Sequence, residues 1–108
     1  MFLHVVLMAF NERANAQFDQ RVREYCERAR AECEGLLFYD FCRNIADRAD
    51  GLSHAVIGGF RDAEAHDRYQ VAPVHLEMKE FMRHYIARLT VFDGTLADLD
   101  SLVAGSIS

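Results

Sequence analysis

The sequence predicts an α+β fold of the ferredoxin-like kind, βαββαβ, with a four-stranded antiparallel sheet and its helices on one face. Three observations predict it. Apolar runs of strand length occur at residues 2–10, 36–43, 52–60 and 87–93. Segments with helical apolar spacing lie between the first and second runs and between the third and fourth. The chain of 108 residues suits one domain, and 51% apolar content is enough for a buried core.

The first run, Phe2 to Phe10, is apolar on both faces: Phe2, Val6, Met8 and Phe10 on one, Leu3, Val5 and Leu7 on the other. His4 interrupts the first face. Residues 15–34 read as an amphipathic helix carrying Phe18, Val22, Tyr25, Cys26, Ala29 and Cys33, with Asn15 as N-cap and Gly35 just past its end. Residues 36–43 and 52–60 are the second and third strands, and Gly58-Gly59 marks a bulge or a close approach to the backbone. Asp62 caps a short helix over 62–71, and Pro73 opens the next over 73–85. Residues 87–93 are the last strand, closed by Gly94. The domain is expected to span 1–94. The tail 95–108, with Leu96, Leu99, Leu102 and Val103 at helical spacing, reads as a frayed end or a weak helix on a partner. Strands this apolar on both sides leave the open face of the sheet in need of cover, and a second copy of the chain supplies it most simply.

Composition excludes several classes. A net charge of −5 without a basic stripe argues against a nucleic-acid partner. The three cysteines lack CxxC spacing, which argues against a disulfide framework or a zinc site. There is no signal-like leader and no run long enough to span a bilayer, so the cytoplasm is the expected compartment. No glycine-rich phosphate loop, GxSxG or dinucleotide fingerprint occurs, so no cofactor is expected. No HxH or HxxxH spacing exists and no carboxylate converges on the histidines, so no metal is expected either.

The chemistry concentrates in Tyr69-Gln-Val-Ala-Pro-Val-His75. On one unbroken helix Tyr69 and His75 would point about 120° apart. A break at Pro73 lets both face one cavity, and the first turn of the new helix keeps His75 neutral. A neutral imidazole beside a phenol is equipment for acid–base catalysis. His4 and His54 fall on the first and third strands, which are neighbours in this topology, so they are expected to approach each other on the helix side, beneath the segment that carries Tyr69 and His75. His66 and His84 are expected at the surface or in a supporting layer.

The chain resembles the stress-responsive dimeric α/β-barrel (Dabb) family. The residues that carry the resemblance are His4 in Phe-Leu-His-Val-Val-Leu, Gly35, Asn44, His54 in Ser-His-Ala-Val, Phe60, Tyr69 with Pro73-Val-His75, and Val-Phe-Asp at 91–93. It covers residues 1–94. The resemblance implies a ferredoxin-like protomer and a homodimer whose two sheets close into a barrel. One plant member performs a cofactor-free aldol cyclisation of a linear polyketide. Carried over, His75 would remove a proton next to a carbonyl, Tyr69 would hold the carbonyl oxygen, and His4 and His54 would line the pocket. The chain departs from many members in having Ala72, not histidine, before the proline. Two readings follow: a cofactor-independent acid–base enzyme acting on a small, hydrophobic, enolisable molecule, or a non-catalytic ligand-binding or stress-protective dimer. A cofactor-free monooxygenase is a third, which no residue selects.

Overall fold

β1 (Phe2–Phe10) is hydrogen-bonded along both edges in a computed structural model that describes residues 1–97. Its even-numbered side chains face the helices and its odd-numbered ones the other side of the sheet, and both sets are largely apolar. α1 (Ala16–Glu32), β2 (Leu36–Arg43), β3 (His54–Phe60), α2 (Ala63–Gln70), α3 (Pro73–Met82) and β4 (Ile86–Thr95) follow. The sheet order is β2-β3-β1-β4 and every pairing is antiparallel. This is the expected ferredoxin-like sheet, with the helices on one face.

α1 starts where the sequence places it, because the Asn15 side chain accepts a hydrogen bond from the Phe18 N–H at 3.0 Å. It buries Phe18, Val22, Tyr25, Cys26 and Ala29 against the sheet. Two arginines of the same helix reach the edge strand: Arg23 donates to the Phe41 carbonyl at 3.1 Å, and Arg30 donates to that of Tyr39. These contacts occupy carbonyls that an edge strand would otherwise offer to another chain.

Several boundaries differ from expectation, and three of them have a visible cause. β3 begins at His54, not Leu52, because Leu52 donates its N–H back to Ala49 in a turn. α3 stops at Met82, three residues early, because the His84 carbonyl is held by Asn11 Nδ2 at 3.0 Å and the Arg13 guanidinium at 2.5 Å. Those bonds tie the turn to the end of β1. β4 runs on to Thr95 because Gly94 continues the ladder opposite Leu3. Residues 98–108, including Leu99, Leu102 and Val103 of the tail, lie outside the described residues.

Gly35 turns the chain from α1 into β2 with φ +84°. A Cβ there would lie 2.6 Å from the Cβ of Ala65 on α2. Both the left-handed backbone and the contact penalise any side chain. Gly35→Ala is expected to lower stability by at least about 2 kcal/mol, read as a fall in the denaturant midpoint. An unchanged midpoint would mean that the turn and α2 relax freely. The Gly58-Gly59 pair is a close approach, as expected: the ring of Tyr39 would lie 3.0 Å from a Cβ on Gly58, and that of Phe38 would lie 2.2 Å from one on Gly59. Tyr39 covers the helix side of the sheet and is 1% exposed; Phe38, on the other side, is 41% exposed.

That other side is open and apolar. Leu3, Val5, Leu7 and Ile57 are only half-buried there, and Phe92 is exposed. Among the described residues no helix is long and apolar enough to cross a membrane.

Candidate functional site

The proline forms the predicted elbow. α2 ends at Gln70, and Ala72 is extended (φ −66°, ψ 140°), as the residue before a proline prefers. α3 then begins at Pro73, whose missing N–H costs nothing at a first helical position. The change of axis brings the rings of Tyr69 and His75 to 4.1 Å between centroids. The Tyr69 hydroxyl lies 2.6 Å from that of Tyr39 on β2. Burial pushes the pKa of both phenols up, so both remain protonated donors near neutral pH. The Nδ1–H of His75 donates to the Gln70 carbonyl at 3.2 Å. A carbonyl only accepts, so this bond fixes the neutral tautomer and leaves the lone pair on Nε2. Burial pushes the His75 pKa down to about 4, partly offset by that backbone bond and reinforced by Lys79 one turn along the helix. Desolvation is the largest cause that keeps the ring neutral.

A second pair forms across the sheet. The register of β1 against β4 sets His4 opposite Asp93, and the His4 Nδ1–H donates to the Asp93 carboxylate at 2.5 Å. The alternation of Val91, Phe92 and Asp93 along β4 was the only trace of this in the sequence. The expectation that no carboxylate converges on the histidines is therefore overturned. Of the two places expected for His66, the surface or a supporting layer, the structure takes the second, for it is 3% exposed. It sits three residues before Tyr69 on the inward face of α2, with its ring 4.5 Å from Phe2, 5.1 Å from Phe60 and 4.8 Å from His4. Burial pushes its pKa down too. His84 is exposed, as expected.

His54 is not part of this group. It lies on the helix side of β3, but it pairs with Met8, whereas His4 pairs with Gly58. Four residues of strand separate the two positions by about 13 Å. His54 instead stacks on Phe41 at 5.2 Å and bonds Ser53 Oγ at 2.8 Å through Nδ1. Adjacent strands bring residues together only where the register matches, and strand order alone does not fix the register.

His4, Tyr69 and His75 share one cavity of about 560 Å³ between the sheet and α3. Val6, Met8 and Val56 form its floor and Met78 and Met82 its roof. Tyr39, Tyr69, His75, His4 and Asp93 supply polar groups to it, and Gln70, Lys79 and Arg83 also line it. It opens over β4, where Leu89 is 52% and Val91 50% exposed because no helix covers that edge. Another hollow, of about 530 Å³, lies along α1 beside Arg21, Phe81 and Tyr85, and holds none of the histidines.

Comparison with known proteins agrees with this architecture. A protein of Arabidopsis thaliana superposes with a TM-score of 0.79 at 17% identity, over 92% of this chain and 98% of its own. A hydroxynitrile lyase from Passiflora edulis does so with a TM-score of 0.79 at 14% identity, over 90% and 94%. A dimeric ferredoxin-like protein of unknown function from Thermobifida fusca gives 0.75 at 18% identity, over 88% and 90%. No curated protein matches in sequence. Residues 2–96 match the family model of the stress responsive A/B barrel domain, and the chain belongs to that family.

Proposed function

We propose that the chain binds a small, apolar, enolisable carbonyl compound in the cavity beneath α3 and moves a proton on it, using only its own acids and bases. The observation that carries this reading is His75: a neutral imidazole with Nδ1 committed to the Gln70 carbonyl, packed on Tyr69 at the wall of an apolar cavity. Nε2 accepts the proton next to the carbonyl. Tyr69 donates to the carbonyl oxygen, and Tyr39 can supply the proton that frees the Tyr69 hydroxyl for that task. His4, held by Asp93, lines the polar end and stabilises the shift of charge. The aldol-type cyclisation implied by the family resemblance is one reaction this set suits, and the likeness of fold to a hydroxynitrile lyase supports looking for carbonyl chemistry of this general kind. An imidazole with a pKa of about 4 is a weak base. Each unit by which it falls short of the carbon acid costs about 1.4 kcal/mol, which the oxygen donors must offset. That weakness favours a second reading, a binding protein without turnover.

The test is deuterium wash-in. A panel of β-diketones and aryl ketones is incubated with the protein in D₂O and followed by NMR. Accelerated exchange at the carbon next to the carbonyl is expected for compounds that also raise the melting temperature. Compounds that raise it without exchange would select the binding-only reading.

We also infer a homodimer through the open face of the sheet, where Phe92 and the half-buried Leu3, Val5, Leu7 and Ile57 form an apolar surface. The similar ferredoxin-like protein from Thermobifida fusca is dimeric, which supports a dimer here. The native chain is expected to elute at twice its mass in light-scattering chromatography, and Ile57→Asp to shift it to the monomer. A native monomer would refute the dimer.

A further inference from the structure

We propose that His4, His66 and Asp93 form a binding site for one divalent transition-metal ion of the zinc or iron(II) kind. The two imidazoles and the carboxylate offer one ligand atom each, and these atoms lie within 4.8 Å of one another. His4 Nδ1 is 2.5 Å and His66 Nε2 3.8 Å from the same oxygen, Asp93 Oδ1. Donor atoms that share an ion at about 2.1 Å stand roughly 3–4 Å apart, depending on the angle between them. The His66 distance already falls in that range. The His4 distance has to open by about half an ångström or more, which is what replacing a shared proton by an ion does. His4 then takes its other tautomer, with its proton on Nε2 and the Nδ1 lone pair on the metal.

His66 supplies the second observation. It is 3% exposed, and a buried imidazole normally has a good hydrogen-bond partner. Here Gln70 Nε2 stands 3.4 Å from both ring nitrogens, so it lies along neither lone pair. The remaining polar neighbour is Asp93 at 3.8 Å, too far for a hydrogen bond. Burial pushes the ring towards its neutral form, which is the form that binds metals. Two nitrogens and one carboxylate suit zinc, cobalt or iron(II) better than magnesium or calcium. The Asp93 side chain is 37% exposed, which gives an ion a way in and leaves coordination positions for water or a substrate oxygen. The inference goes beyond the acid–base reading and does not depend on His75.

The experiment is a titration of the chelator-treated, dialysed full chain with Co²⁺, read by visible d–d absorption, and with Zn²⁺, read by calorimetry. One ion per chain is expected, with a dissociation constant of about 10 µM or tighter. His66→Leu should weaken it at least about tenfold, and so should Asp93→Asn, a near-isosteric change that serves if the first variant fails to fold by circular dichroism. His54→Leu and His84→Ala should leave it unchanged. Absence of saturable binding below about 1 mM, or binding that survives both ligand substitutions, would overturn the site. Either of those results leaves the deuterium wash-in reading standing, because exchange that persists in the chelator-treated protein does not need the ion.

Discussion

His75→Ala is expected to cut proton exchange on a responsive ketone by about 10²–10⁴-fold while leaving the far-ultraviolet spectrum unchanged. The ring is half-buried at the start of α3, and its one hydrogen bond is to a carbonyl that water can serve equally well, so its loss should not unfold the domain. The pH profile follows from the depressed pKa. The base must be neutral, and it protonates only as pH falls through about 4. The rate should therefore be flat across neutrality and fall only in acid, not near 6.5 as for an ordinary histidine. A limb near 6.5 would move the role of base to another group. Stability carries the same sign. Between about 6.5 and 4 the unfolded chain binds a proton that the folded ring refuses, so folding weakens as pH drops through that window. His75→Gln should flatten that part of the melting curve against pH. An equal slope in the variant would show that other groups cause it.

Phe60→Ala is expected to cost about 3–5 kcal/mol, a large part of the stability of a domain this size. Phe60 is 0% exposed and ends β3 beneath α2, with its ring 5.0 Å from Tyr69 and 5.1 Å from His66. Removing it leaves a void that backbone on two elements cannot close. The same void loosens the floor under His66 and Tyr69, so ligand affinity should fall along with the denaturant midpoint. A loss below about 1 kcal/mol would show that the core collapses into the gap.

Local signals were reliable wherever one residue decides its own geometry. Asn15 and Asp62 cap their helices as their side chains dictate, Gly35 takes the left-handed turn, and Pro73 breaks the chain where a proline must. The strand periodicity gave the sheet and its open apolar side. The elbow brought Tyr69 and His75 together because two local rules, the restriction before proline and the tolerance at the first helical position, act on neighbouring residues.

The remainder of the site depends on register and cover, which no local rule specifies. His4 and His54 looked like partners because their strands are neighbours, yet the pairing sets His4 against Gly58 on one side and Asp93 on the other. A shift of two residues would keep the faces and exchange the neighbours, so alternation alone cannot choose among them. For His66 the sequence left open the surface or a supporting layer, and its packing against Phe2 and Phe60 decided for the second. The sequence by itself determined the element order, the helix breaks and the apolar surfaces, because these follow from side-chain geometry and short-range periodicity. Only the tertiary structure decided which histidine meets which carboxylate, because contacts across strands are set by the best packing of the whole sheet and not by any one segment.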